Sequence, residues 1–275
     1  MELNVNNAKT YCYTGGKPLD IVKPTVVFIH GVVNDHSVWG LQSRYLANHG
    51  YNVLAVDLPG HCRSAGEAPS SVEEAADFIA ALLDAAGVQK AALVGHSWGS
   101  LIALEAASRL KERVTHLVLV GTAFPMKVSP MLIEASLNEP MKALNMINVF
   151  SRSTLAAPPS ALGPGTWVFG ASMALGKRVL ASNPAVNVFH RGFVACDRYA
   201  NGEAAMEALT CPVLFVLGAQ DQMTAAKAAQ PLITKAKASG KTVQVVNLAV
   251  GHHQMTETPD NTLFTIRDFL RTPSA

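Results

Sequence analysis

The feature that most constrains this chain is an alternation of short β-branched runs with longer runs of helical period. IVKPTVVFIH, residues 21 to 30, is apolar, rich in Val and Ile, and followed by a glycine, as expected of a parallel strand buried on both faces that enters a loop. A second strand, YNVLAVDLPG (51 to 60), follows a helical stretch. Ser71 and Glu74 form a capping box ahead of EEAADFIAALLDAAG, a periodic run that stops at Gly87. A strand at AALVGH, a helix from Trp98 to Leu110 and a strand over 114 to 121 come next. This order predicts an α/β fold with a doubly wound, mostly parallel sheet flanked by helices.

From 123 to 209 the pattern changes. Met, Ala and Pro accumulate, Pro158, Pro159 and Pro164 interrupt the run, and no strong strand is legible. The alternation resumes with CPVLFVLG, a helix near 224 to 238, TVQVVNLAV and a last helix near 260 to 271. Residues 1–122 and 210–275 are therefore expected to build one core, and 123–209 a mostly helical insertion.

Composition narrows the function. Of the 275 residues 49% are apolar and 15% charged, enough to bury a large core and unlike a disordered chain. Twenty-two Lys and Arg face twenty Asp and Glu with no dense run of either sign, so no nucleic-acid partner is indicated. Cys12, Cys62, Cys196 and Cys211 lie far apart, in no metal-binding spacing, which fits a reduced, cytoplasmic protein without a metal. The N-terminus lacks the basic-then-apolar order of a signal peptide, and no apolar run reaches the roughly 18 residues of a membrane span.

Gly95-His96-Ser97-Trp98-Gly99 fits G-x-S-x-G and falls between a predicted strand and a predicted helix, the context a nucleophile elbow requires. Small residues on either side of Ser97 let strand and helix approach, and the helix start places positive potential at the hydroxyl. A serine nucleophile needs a base, and the base needs an orienting acid. Asp221 follows the strand at 212 to 218; the loop after the last strand offers His252 and His253. Both loops lie at the carboxyl edge of the sheet, where such folds bind ligands. Residues 122 to 126, TAFPM, hold no rival carboxylate. Trp98, the residue after the nucleophile, supplies one backbone N–H of an oxyanion hole.

Five motifs together, over 21 to 122 and 211 to 271, resemble the α/β-hydrolase superfamily of serine hydrolases, of an esterase- or lipase-like kind with an inserted cap. GHHQMTETP is similar to the family pattern of Gly-His, four residues, Glu, one residue, Pro, which implies His252 rather than His253 as base. HGVVNDHSVW resembles the family's His-Gly loop and implies Val32 as second oxyanion donor, with His30 bracing the loop. DLPGHCRS resembles a structural Asp-x-Pro-Gly-His loop, and His96 reads as a packed structural residue. The remaining histidines, including His36, His49, His116 and His190, read as surface or core residues.

The resemblance implies a triad of Ser97, Asp221 and His252, no cofactor, and acyl transfer on a small to medium apolar substrate, an ester or a related acyl bond such as a thioester. The insertion would be the cap, with Met126, Met131, Met141, Met146 and Met173 lending it a flexible apolar character and Met146 and Trp167 as bulky residues that set chain length. Carbon–carbon bond hydrolases, lactonases and perhydrolases share this triad, and some members of the fold are receptors with little catalysis. HGVVN departs from the His-Gly-Gly-Pro-Gly loop of prolyl aminopeptidases, and Ser97 from the Asp nucleophile of haloalkane dehalogenases.

Overall fold

The structure, a computed structural model, describes residues 1–20, 22–152 and 167–274. Ile21, at the head of the first expected strand, and Pro158, Pro159 and Pro164 in the insertion lie outside the described residues. Eight strands among those described form one sheet: β1 (Glu2–Val5), β2 (Ala8–Tyr13), β3 (Thr25–Ile29), β4 (Asn52–Val56), β5 (Ala91–His96), β6 (Val114–Val120), β7 (Val213–Gly218) and β8 (Val243–Leu248). Their order is β1-β2-β4-β3-β5-β6-β7-β8. Every pairing from β4 to β8 is parallel, which is the doubly wound α/β sheet that the alternation predicts. The antiparallel β1–β2 edge is an addition the apolar pattern does not announce. Its turn uses Asn6 and Asn7 at φ 51 and 62, the left-handed pair that a two-residue hairpin needs and Asn tolerates.

The described helices are α1 (Gly40–Asn48), α2 (Val72–Ala85), α3 (Trp98–Leu110), α4 (Pro130–Asn138), α5 (Pro140–Ser151), α6 (Val168–Ser182), α7 (Val188–Arg198), α8 (Gly202–Glu207), α9 (Gln230–Ala238), α10 (Gln254–Glu257) and α11 (Pro259–Leu270). Side chains alternate across β3: Val27 and Ile29 join Ile79, Leu101 and Leu232 of α2, α3 and α9 on one face. Val26 and Phe28 join Leu46, Ile266 and Phe269 of α1 and α11 on the other. At the start of α2 the Ser71 hydroxyl accepts from the Glu74 N–H at 3.1 Å, while the Glu74 carboxylate reaches the N–H of Ser70 at 2.7 Å, one residue before the cap. The helix expected near 224 to 238 opens as a 3-10 turn, Ala226–Ala229, before α9. Between β6 and β7, helices α4 to α7 share a separate apolar cluster that includes Leu132, Leu144, Val179, Phe189 and Phe193. The short α8 lies against α3 and α9. No described helix is long and apolar enough to cross a membrane.

Strand β5 turns into α3 through a single residue, Ser97, at φ 53 and ψ −121. The turn closes only because Gly95 and Gly99 lack side chains. A Cβ on Gly95 would strike the Gly99 carbonyl, and one on Gly99 the carbonyls of Ile29 and His30. Around this edge several histidines are buried as neutral rings. His30 donates from Nδ1 to the Gly31 carbonyl at 2.8 Å and accepts from the Leu58 N–H on Nε2 at 3.2 Å, which fixes one neutral tautomer. Burial pushes His30 below its ordinary value, and His61 and His96 down to about 3.

Two outcomes are expected. Gly95→Ala or Gly99→Ala overpacks backbone against backbone and costs about 3 kcal/mol or more, read as a lower urea midpoint. The unfolded chain takes up protons at His30, His61 and His96 below about pH 6.5 that the folded chain resists, at His61 and His96 down to about pH 3. Stability is therefore full above pH 7 and falls as pH drops through that window, by up to about 1.4 kcal/mol per pH unit for each histidine. Urea unfolding at pH 7.5, 6 and 5 checks the sign; a midpoint that rises towards pH 5 contradicts it.

Candidate active site

Four chain segments that are far apart in sequence meet at the carboxyl edge of β3, β5, β7 and β8. Ser97 follows β5 and its backbone is tied on both sides. Its N–H donates to the Val120 carbonyl at 2.9 Å, and its carbonyl accepts from the Ser100 N–H at 2.8 Å. A non-glycine residue in this conformation persists only where its surroundings over-determine it. As the first residue of α3, Trp98 presents an N–H with no acceptor inside the helix.

Asp221 follows β7 and is almost fully buried. Its Oδ1 accepts from the N–H groups of Met223 and Thr224, each at 2.8 Å, and its Oδ2 lies 2.8 Å from the Thr224 hydroxyl. The same Oδ2 lies 2.8 Å from Nδ1 of His252. Burial opposes the charge on Asp221, but the His252 ring and these donors outweigh it and hold the carboxyl below its ordinary value. His252 follows β8 in a turn closed by Glu257, whose carboxylate accepts from the Gly251 N–H at 3.1 Å and the His253 N–H at 3.2 Å. The His252 N–H donates to the Ser151 carbonyl at the end of α5, at 2.7 Å. Beneath it, Nε2 of His96 bonds the His252 carbonyl at 2.9 Å. His253 points elsewhere: it lines a second cavity with Arg152 and Ser172, and burial drives it well below its ordinary value.

The two sites the sequence separates, Ser97 and His252, line one pocket of about 360 Å³, with Val32 on its wall. Gly31 brings the Val32 loop against the elbow: a Cβ there would lie 3.1 Å from the Ser97 Cβ. Beside Val32, the β-branched Val33 is held at φ 58, a conformation that costs about 1–3 kcal/mol. Met126, Met131 and Met146 line the pocket, together with Phe150 and Phe193. Met141 is exposed and Met173 packs on Asn148, while Trp167, 71% exposed, stands outside the pocket. The sequence reading missed Met223 and Thr224, which also line it; their signal was adjacency to Asp221 in a loop that caps its own carboxylate.

Among the described residues one cluster, Asp35, His36 and Asp57, brings carboxylates and an imidazole together. Its donors are already engaged, His36 Nδ1 with Asp57 at 2.8 Å and Asp35 with Arg178 at 2.6 Å, and it does not line the Ser97 pocket.

A family profile described as the alpha/beta hydrolase fold matches residues 24–255. Over 98 residues the chain is 38% identical to the dihydrolipoyllysine-residue acetyltransferase component of the acetoin cleaving system of Cupriavidus necator, covering 35% of this chain and 26% of that protein. Over 94 residues it is 36% identical to an epoxide hydrolase of Caballeronia sordidicola, covering 33% and 28%. The chain thus spans about a quarter to two fifths of the length of the curated relatives it matches. Among solved structures it superposes on an enol-lactonase from Burkholderia xenovorans with a TM-score of 0.81 at 20% identity, over 99% of this chain and 100% of that one. An esterase from Exiguobacterium antarcticum gives 0.79 at 18% identity, over 99% of each. At such identities the likeness is one of fold. With its sheet order and a family match over most of its length, the chain belongs to the alpha/beta hydrolase fold family.

Proposed function

We propose that this protein is a serine hydrolase that cleaves a carboxylic ester of a small to medium apolar acid through Ser97, His252 and Asp221. The observation that carries the reading is the 2.8 Å contact between Asp221 Oδ2 and His252 Nδ1 beside a pocket that His252 shares with the strained Ser97. With Nδ1 engaged by the carboxylate, Nε2 is the nitrogen left to take the Ser97 proton. The hydroxyl oxygen attacks the acyl carbon, and the negative charge that develops on the carbonyl oxygen is met by the N–H groups of Val32 and Trp98. Protonated His252 gives its proton to the departing alcohol, leaving an acyl group on Ser97. Water, deprotonated by His252, then attacks the acyl carbon; the bond to Ser97 Oγ breaks, the acid is released, and His252 returns the proton to the serine.

The segment 123–209 acts in this reading as a cap. Its helices α4 to α7 close over the elbow and supply the methionine and phenylalanine wall, whereas α8 joins the helical layer of the core. Met side chains adapt to flexible aliphatic chains, which favours an acyl group of several carbons over a rigid one.

Two results test the reading. Ser97→Ala and His252→Ala each lower hydrolysis of p-nitrophenyl butyrate by at least about ten-thousandfold, while His253→Ala stays within about tenfold of the parent. Turnover that survives in Ser97→Ala removes the assignment, and reversed histidine effects move the base by one residue. Across a series of acyl esters kcat/KM climbs about fourfold per methylene, from roughly 0.8 kcal/mol of burial each, until the pocket is full and then falls. Met146→Ala shifts that maximum to longer chains; an unchanged profile places selectivity outside the cap wall.

A further inference from the structure

The loop that follows β3 contains the unexpected conformation in this site. Val33 sits at φ 58, where glycine would be the natural residue, yet the chain places a branched side chain there. That side chain is 3% exposed, and it belongs to the cluster of α4 to α7, not to either face of the sheet. The contacts are close. The position a Cβ would take on Gly176 of α6 lies 3.4 Å from Val33 Cγ1 and against the Leu144 side chain. The same construction on Gly192 of α7 lies 3.0 and 3.2 Å from the two methyl carbons of Val32. Two helices of the insertion thus carry glycines where they meet these two valines: a Cβ on Gly192 would crowd Val32, and one on Gly176 would displace Leu144 where it packs beside Val33.

We infer that Val33 is a positioning residue through which packing of the cap sets the oxyanion hole: gripped by the α4–α7 cluster, it fixes the bend that presents the Val32 N–H to the substrate carbonyl. The inference rests on the proposed role of Val32. Within the loop itself the bonds hold Gly31, whose carbonyl accepts from His30 Nδ1 at 2.8 Å and from the Asn34 N–H at 3.3 Å, and not the Val33 side chain. Glycine at 33 would adopt the same φ without strain, but it would adopt many others as well, and the cluster would have nothing to hold. An N–H that wanders from the oxyanion position loses stabilisation that exists only in the transition state, so the defect belongs in kcat and not in KM.

The test uses the full chain with Val33→Gly, Leu144→Ala and the pair combined. Leu144 is buried in the cluster and does not line the Ser97 pocket. The substrate is p-nitrophenyl acetate, whose acyl group is too short to depend on the cap wall, and urea unfolding first establishes that each variant is folded at the assay temperature. Each single change is expected to lower kcat about tenfold or more, with KM within about twofold, and the double variant to fall no further than the weaker single one. Wild-type kcat in either single variant, a loss confined to KM, or losses that multiply in the double variant each overturn the inference. Should Val33→Gly not fold, Leu144→Val reads the same division between kcat and KM. Failure of the underlying reading is distinct, because it would appear as turnover retained by Ser97→Ala whatever Val33 does.

Discussion

Backbone against backbone at one point, where β5 turns into α3, is the contact on which the rest of the arrangement depends. Gly95 and Gly99 bring the strand and helix to a separation that admits no side chain, with the carbonyls of Ile29 and His30 closing from β3. That closeness forces Ser97 into φ 53 and lifts its side chain clear of the sheet. It also sets how near the Gly31 loop can come, since a Cβ on Gly31 would lie 3.1 Å from the Ser97 Cβ. The remaining members of the site are fitted around this fixed centre.

They are fitted by two different means. Asp221 is oriented by its own loop, through the N–H groups two and three residues on, so its direction follows from the chain leaving β7. His252 is held from several sides: Asp221 on its ring, His96 beneath its carbonyl, Ser151 on its N–H and Glu257 across the turn. None of these bonds crosses solvent, and the neutral state of the buried His96 follows from the same exclusion of water. On the side proposed for the oxyanion, Val32 and Val33 pack against helices of the insertion.

How much of this was legible in the sequence depended on whether the determinant was local. Gly95, Ser97 and Gly99 announce the elbow because a tight strand–helix turn has few chemical solutions. The parallel core was legible because strands buried on both faces are written in unbroken apolar runs, even though β3 begins at Thr25 and not at the head of that run. The β1–β2 hairpin was not, since an edge strand is half exposed and its pattern weak; only the Asn6-Asn7 pair marks it. In the insertion the methionines were visible but not their directions, so Met146 and Met141, five residues apart on one helix, go to the pocket and to solvent. The partnership of Val33 with α4 to α7 joins residues far apart in the chain, and no periodicity encodes it.

The position of β5 within the sheet has one more consequence. It is flanked by β3 and β6, with further strands beyond on both sides, and all six of its residues are buried. Segments exchange their amide protons with solvent according to the free energy of the opening that exposes them, and interior strands open last. Ser97 is anchored to that strand and, through its N–H, to the end of β6. Its backbone therefore has no inexpensive fluctuation in which to relax: the conformation at Ser97 is tied to an interior strand whose amides are expected to exchange only when the sheet opens.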